Sequence, residues 1–188
     1  MLTTAEYKEA LSHAIRERRG WLNWLLQEAG CPESVDSQDL LIAIARVESN
    51  FGAFAHATRF EIGIKRLIER ATESPKDAGG LLLNLEYMAK QDRLCCSFGP
   101  FQVLGLVHFE LGFKADPEAM FEPNYATAVA VEYLRQRAIP SATKAIKAGK
   151  YPDDQTGWIS AIADAYNSGS ATDRHKPEEY IRRILDNF

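Results

Sequence analysis

Hydrophobic side chains recur along most of the chain at the three- and four-residue spacing of amphipathic helices. The first such segment follows a capping-box pattern formed by Thr3 and Glu6, and it ends before Gly30 and Pro32. Its hydrophobic positions at helical spacing are Tyr7, Leu11, Ala14, Ile15, Trp21, Leu22 and Leu25. The pattern predicts one long amphipathic helix within residues 1–36.

The same periodicity predicts further helices, separated by Asn, Gly and Pro residues. These segments are Asp36 or Ser37 to Asn50, Arg59 to Thr72, Leu81 to Lys90, Phe101 to Leu111, Tyr125 to Arg137 with Pro140 as its boundary, Gly157 to Asn167, and a last helix opened by Pro177. No convincing β-alternation stands out. We therefore predict an all-α fold of about eight helices in a single domain, with a core at residues 37–188.

One carboxylate lies near the end of an unusually apolar helix. The stretch from Leu40 to Ala45 has no polar stripe, so this helix is expected to be buried nearly all round, with Glu48 following it. Burial disfavours a charged carboxylate and raises its pKa, which is the condition that a general acid needs. Taken alone, a glutamate here is explained more simply as a helix-end charge paired with an arginine.

Composition narrows the classes of function. The 188 residues, 46% of them hydrophobic, fit one globular domain, and a net charge of -4 argues against general nucleic-acid binding. No apolar run approaches the roughly 18 residues of a membrane span, so stable membrane insertion is not expected. Residues 1–9 lack the pattern of a secretory signal, and we expect synthesis in a cytosol.

Cysteine and histidine usage predicts neither a disulfide framework nor a metal site. Cys31, Cys95 and Cys96 are an odd set with two adjacent members and without zinc spacing. The histidines show no metal-binding arrangement. No metal and no cofactor are expected.

Three further motifs follow Glu48 and Ser49 in order: Ser-Phe-Gly-Pro-Phe-Gln at 97–102, Ala-Tyr-Asn-Ser-Gly at 165–169, and Tyr180 near the end. This ordered set resembles the soluble lytic transglycosylase and goose-type lysozyme superfamily, whose members show Glu-Ser, Gly-Leu-Met-Gln, Ala-Tyr-Asn and a late tyrosine. The resemblance covers about Leu40 to Phe188. It implies a lysozyme-like helical domain arranged around the buried helix that carries Glu48.

The resemblance also implies roles for individual residues. Glu48 would be the catalytic acid, and the sugar would be held by Ser49, Ser97, Gly99, Gln102, Tyr166, Asn167 and Tyr180, the last of which would contact the acid. Each of these has a simpler explanation: Gln102 as a turn residue, and Tyr166 and Tyr180 as core packing. Pro100-Phe101 replaces Leu-Met of the family pattern, and Pro100 removes a backbone donor from the turn.

A second carboxylate would decide the type of reaction. Arg59-Phe60-Glu61 is similar to the Arg-Phe-Glu of phage-type N-acetylmuramidases, which makes Glu61 a candidate, and Asp92 is a weaker one. An inverting hydrolase needs such a group at about 6.5 to 9.5 Å from the acid, to activate water. A lytic transglycosylase needs one acid/base only. Glu61 is also readily explained as a solvated helix charge four residues before Lys65.

The sequence thus leads us to expect a peptidoglycan glycosidase that cleaves the β-1,4 bond between N-acetylmuramic acid and N-acetylglucosamine. Its partners would be glycan strands, reached by a phage or secretion-system route with an unknown delivery partner. Two alternatives stay open. One is a catalytically inactive peptidoglycan-binding or scaffold protein with the same fold, and the other is a helical regulator that does not bind the wall.

Overall fold

The computed structural model describes residues 2–53, 58–62, 64–66, 91–172 and 177–188, with the backbone alone at positions 91 and 92. This part of the chain is mainly helical, and the predicted all-α class is confirmed. The predicted helix from Leu81 to Lys90 and the end of the one predicted at Arg59 to Thr72 lie outside the described residues.

The described α-helices are α1 (Thr4–Glu28), α2 (Ser37–Ser49), α3 (Gln91–Leu94), α4 (Gly105–Glu110), α5 (Pro123–Tyr133), α6 (Ile139–Lys147), α7 (Gln155–Ser168) and α8 (Glu178–Leu185). A 3-10 helix spans Pro117–Phe121, and a π-helical turn at Leu134–Ala138 joins α5 to α6. The strands in this part of the chain are short: β1 (Arg59–Phe60), β2 (Cys96–Phe98) and β3 (Val103–Leu104).

Helix α1 starts at the predicted capping box. The Thr3 hydroxyl accepts a hydrogen bond from the Glu6 N–H at 3.3 Å, and the Glu6 carboxylate accepts one from the Thr3 N–H at 2.8 Å. Leu22 is fully buried, but its neighbour Trp21 is 45% exposed. The assignment of Trp21 to the hydrophobic face is wrong, because consecutive residues of a helix point about 100° apart.

Helix α2 is built as the sequence predicts. Asp36 caps it by accepting a hydrogen bond from the Gln38 N–H at 2.8 Å, and Asn50 ends it in the left-handed conformation at φ 52°. Five of its apolar residues are fully buried, namely Leu40, Leu41, Ala43, Ile44 and Ala45, whereas Ile42 and Val47 are partly buried. The core therefore covers most of this helix, and Glu48 lies in its last turn.

The strands form a three-stranded antiparallel sheet that the sequence did not predict. Ser97 in the central strand pairs with Arg59 on one side and Leu104 on the other. Helices predicted to begin at Arg59 and Phe101 are therefore wrong at their starts. Strands of two or three residues are too short for hydrophobic alternation to show.

A continuous helical rod passes through Pro140, so the prediction that the helix ends before this residue is wrong. The Ile139 N–H donates to the Leu134 carbonyl, five residues back, as in a π-helix. Pro140 has no N–H, and in a regular α-helix its ring would crowd the carbonyl of Gln136. The wider π turn accommodates this proline, so α6 follows α5 without a break.

The core has two parts. A large cluster joins α1, α2, α5, α6 and α7, and Leu11, Leu41 and Trp158 are among its most deeply buried members. A small second cluster lies beside the sheet and consists of Leu94, Cys95, Leu106 and Phe109. The sheet contacts both clusters, because Phe98 and Val103 belong to the large one and Leu104 packs against the small one.

Candidate active site

A cavity of about 350 Å³ is lined by the last turns of α2 and α7, the sheet and the π turn. This volume is at the lower end of the range for small-ligand pockets. The structure brings six of the predicted site residues together at this cavity: Glu48, Glu61, Ser97, Gln102, Tyr166 and Asn167. They come from segments far apart in the sequence.

Glu48 has an unusual environment for a carboxylate. Burial raises its pKa above the ordinary value of 4.5, and the negative charge of Glu61 adds to the rise. The Tyr180 hydroxyl and the positive charges of Arg59 and Arg183 act in the opposite direction. Because burial is the largest of these effects, Glu48 holds its proton at a higher pH than an exposed glutamate does.

Tyr180 lies beside Glu48, at the start of α8. Its hydroxyl lowers the pKa of Glu48, although within the described residues its buried Oη atom makes no hydrogen bond of regular geometry. Burial and the charge of Glu48 raise the pKa of Tyr180 itself. Helix α8 is fastened to α2 by Arg183, whose Nη2 donates to the Val47 carbonyl at 2.9 Å. Tyr180 is thus positioned as a neutral donor next to the acid.

Glu61 lines the cavity at the end of the first strand. Its Oε1 atom accepts a hydrogen bond from Arg59 Nε at 2.5 Å, and its carbonyl accepts from the N–H groups of Ile64 and Lys65. Glu61 therefore precedes a helical turn instead of lying on a solvated helix face. The backbone of Asp92 belongs to α3, and its side chain lies outside the described part of the chain.

Strand β2 contributes Ser97, and the turn between β2 and β3 contributes Gln102. Ser97 is buried at the centre of the sheet. Gln102 adopts a left-handed conformation at φ 47°, and its side-chain amide donates to the Gly99 carbonyl at 2.9 Å. The Phe101 carbonyl accepts a hydrogen bond from the Tyr166 hydroxyl at 2.9 Å. This last bond ties the turn to α7.

Two tyrosines in edge-to-face contact form the wall behind the turn. The rings of Tyr133 and Tyr166 meet edge to face, with centroids 5.0 Å apart. Burial raises the pKa of Tyr166, so its hydroxyl remains a neutral donor. Asn167 follows at the rim and is exposed. Its amide is therefore open to a ligand in the cavity.

A buried acid holds the end of α7 in place. Asp164 is fully buried and accepts hydrogen bonds from Tyr151 Oη at 2.6 Å, from Lys150 Nζ at 3.3 Å and from Ser168 Oγ at 3.1 Å. Ser168 in turn lines the cavity. The network satisfies the buried charge, and it fixes the backbone that presents Asn167.

Ser49 and Gly99 do not line the cavity, although the resemblance assigns them to sugar binding. The Ser49 hydroxyl donates to the Ala45 carbonyl at 3.0 Å and accepts from the Gly52 N–H at 2.8 Å. Gly99 has φ 74°, and a Cβ atom there would lie 2.2 Å from the Met120 carbonyl oxygen. Both residues shape the backbone that carries the site.

The sequence reasoning missed Tyr133 and Arg137 as cavity residues. Arg137 Nη2 donates to Glu110 Oε2 at 2.8 Å. No signal in the sequence distinguishes these two positions from other residues of an amphipathic helix, because the π turn that follows Tyr133 and contains Arg137 has no motif of its own. Their role follows from the structure alone.

Within the described ranges, no group of three His, Cys, Asp or Glu residues could hold a metal ion. No helix in the same part of the chain is long and apolar enough to cross a membrane. Comparisons with protein-family models, with curated proteins and with solved structures gave no match to this chain. Any functional conclusion therefore depends on the residues and geometry described above.

Proposed function

We propose that the protein cleaves the β-1,4 glycosidic bond between N-acetylmuramic acid and N-acetylglucosamine in peptidoglycan, with Glu48 as general acid. One observation carries the proposal. Glu48 has a raised pKa and lines the same cavity as polar residues of two other motifs in the ordered set, namely Gln102 and Asn167. This placement is consistent with the resemblance to lytic transglycosylases and lysozymes.

The proposed chemistry begins with proton transfer from Glu48 to the glycosidic oxygen. Cleavage of such a bond needs an acid that is still protonated near the working pH, which burial of Glu48 favours. After transfer, the Glu48 carboxylate is stabilised by the Tyr180 hydroxyl and by the positive charge of Arg59. The side chains of Gln102 and Asn167 offer donors and acceptors for sugar hydroxyl and N-acetyl groups.

Two outcomes of the reaction remain open in this proposal. In a transglycosylase, the substrate's own 6-hydroxyl attacks the anomeric carbon, and Glu48 acts first as acid and then as base. In a hydrolase, Glu61 would activate water, and its position at the cavity supports its candidacy. Mass spectrometry separates the two, because a 1,6-anhydro product is lighter than a reducing-end product by one water molecule.

The test is release of muropeptides from purified peptidoglycan. The wild-type protein should release them, and Glu48→Gln should release none, because an amide cannot donate the required proton. Glu9→Gln is the matched control, since Glu9 is an exposed carboxylate on α1, and it should act like the wild type. Equal release by Glu48→Gln would contradict the proposal. Binding of peptidoglycan by a wild-type protein that releases nothing would instead support the inactive-binder alternative.

A further inference from the structure

Among the residues that the structure describes, the cavity has one positively charged side chain that does not pair with its acids. The carboxylate and guanidinium side chains that line it, within the same part of the chain, are Glu48, Glu61, Arg59 and Arg137. Arg59 forms an ion pair with Glu61 and lowers the pKa of Glu48, so its charge serves the two carboxylates. Arg137 pairs with Glu110, which does not line the cavity. Arg137 therefore offers a charge to whatever occupies the cavity.

Arg137 is held in place with most of its donors open. The bond to Glu110 uses Nη2. Within the described residues, the side chain of Arg137 makes no other hydrogen bond. A guanidinium carries five N–H donors in a fixed plane, so several remain available to a ligand. Because Glu110 restrains the side chain, less conformational entropy is lost when a ligand binds. Glu110 thus holds the Arg137 guanidinium in place at the cavity.

The backbone at this point supports the same conclusion independently. Arg137 lies within the π turn at Leu134–Ala138, and Tyr133, which directly precedes the turn, lines the same cavity. Single π turns inside α-helices are rare and are frequent at functional sites. The π turn therefore lies where the helical rod contributes Tyr133 and Arg137 to the cavity.

We propose that Arg137 binds a carboxylate of the substrate and so selects anionic glycans over neutral ones. This inference rests on the proposed function, since it takes peptidoglycan as the substrate. The chemistry needed is a carboxylate, which pairs with a guanidinium through two parallel hydrogen bonds. Peptidoglycan has two sources of it: the lactyl group of muramic acid without a peptide, and the acidic groups of a stem peptide.

Binding is measured by calorimetry in a Glu48→Gln background, so that the ligands are not cleaved during the measurement and no activity is needed for the readout. The ligands are two muramic-acid oligosaccharides, one free of peptide and one with stem peptides, each compared with its methyl-esterified form. The added substitution is Arg137→Gln. Arg135→Gln is the matched control, because Arg135 lies on the same turn, pairs with Glu132 and does not line the cavity.

In the Glu48→Gln background, the dissociation constant of at least one free acid should be lower than that of its ester by a factor of about ten or more, as expected for a charge-assisted hydrogen bond. Arg137→Gln should remove this difference, so that the ratio of the two constants falls to about one, and Arg135→Gln should keep the ratio. A ratio seen with the peptide-free ligand assigns the carboxylate to the lactyl group, and one seen only with the peptide-bearing ligand assigns it to the stem peptide. An unchanged ratio in Arg137→Gln would overturn the inference.

Two further measurements separate the possible failures. If Arg137→Gln does not fold by circular dichroism, Arg137→Lys replaces it, and it should give a smaller ratio because an ammonium cannot form the two parallel bonds. A Lys ratio equal to that of the background would overturn the inference. If the wild type binds the acids through Arg137 but cleaves nothing, the proposed cleavage is wrong and the inference stands. If neither oligosaccharide binds, both are wrong.

Discussion

The two sides of the cavity are built in different ways. The helical side, formed by the ends of α2, α5 and α7 and by the π turn, sets Glu48 near buried tyrosines such as Tyr166. The strand side presents Arg59 and Glu61, whose side chains are 64% and 33% exposed. Burial on the first side raises the pKa of Glu48, whereas charges on the second side adjust it in both directions.

The difference shows that one large effect, burial, and several smaller effects of nearby charges together set the pKa of Glu48. Desolvation by a packed helical body is hard to change without damage to the core. The charges of Arg59 and Glu61 can be altered separately, because neither side chain is fully buried. We expect substitutions in the core of the helical side to change stability, and substitutions of Arg59 or Glu61 to change the pKa of Glu48 with little effect on stability.

The largest expected effect is the loss of a core side chain from α2, the helix that carries Glu48. Leu41 is fully buried in the large cluster, so Leu41→Ala should lower the free energy of unfolding by about 2–5 kcal/mol. Leu106, in the small cluster beside the sheet, is 7% exposed, and Leu106→Ala should cost less. Chemical denaturation measures both. An equal or larger loss for Leu106→Ala would remove the distinction between the two sides.

A smaller effect is expected at the turn of the strand side. Gly99 and Gly149 both adopt left-handed conformations, with φ 74° and 69°, but only a Cβ at Gly99 would clash, with the Met120 carbonyl oxygen at 2.2 Å. Gly149→Ala should cost about 1 kcal/mol from the backbone conformation alone. Gly99→Ala should cost at least about 1 kcal/mol more, because the turn must shift. Equal midpoints of thermal unfolding would contradict this difference.

The next prediction concerns stability as a function of pH. Because the pKa of Glu48 is raised on folding, the folded protein binds this proton more tightly than the unfolded chain. The stabilising contribution of the proton is complete below 4.5, and it is lost as the pH rises through the folded-state pKa. Glu48→Gln should therefore be more stable than the wild type at neutral pH, with the gain shrinking in acid. Denaturation curves at several pH values test the sign, and a gain that grows in acid would contradict it.

The smallest changes in stability are expected from the exposed ion pair. Arg59→Gln and Glu61→Gln should each alter the free energy of unfolding by no more than about 1 kcal/mol. Their effects on Glu48 should be opposite: loss of Arg59 raises the pKa of Glu48, and loss of Glu61 lowers it. Titration of Glu48 by carbon NMR in each variant measures both shifts. Shifts in the same direction would contradict the assignment of these charges.

The features that could be predicted from the sequence are those with a local physical signature. The capping box at Thr3 and the apolar run that buries α2 have such signatures, and both lie in the helical body. The sheet around Ser97 could not be predicted, because its short strands pair through contacts distant in sequence. The passage of the helix through Pro140 and the turning of Arg137 to the cavity depend on a π turn that has no local signal.

The candidate site divides in the same way. Glu48 could be proposed from its own surroundings, and the ordered motifs pointed to Gln102 and Asn167, which the structure places at the cavity. The motif alone could not tell which members face a ligand. Ser49 belongs to the pattern, yet its hydroxyl is taken up by the backbone of its own helix end. Hydrogen bonding of this kind is visible only once the chain is folded.

The central claim is that burial by the helical body makes Glu48 an acid that keeps its proton. Carbon NMR of the side-chain carboxyl groups measures this directly, with the Glu48 resonance assigned by its loss in Glu48→Gln. Glu48 should titrate above its ordinary value of 4.5. Titration of Glu48 at or below 4.5 would contradict the account.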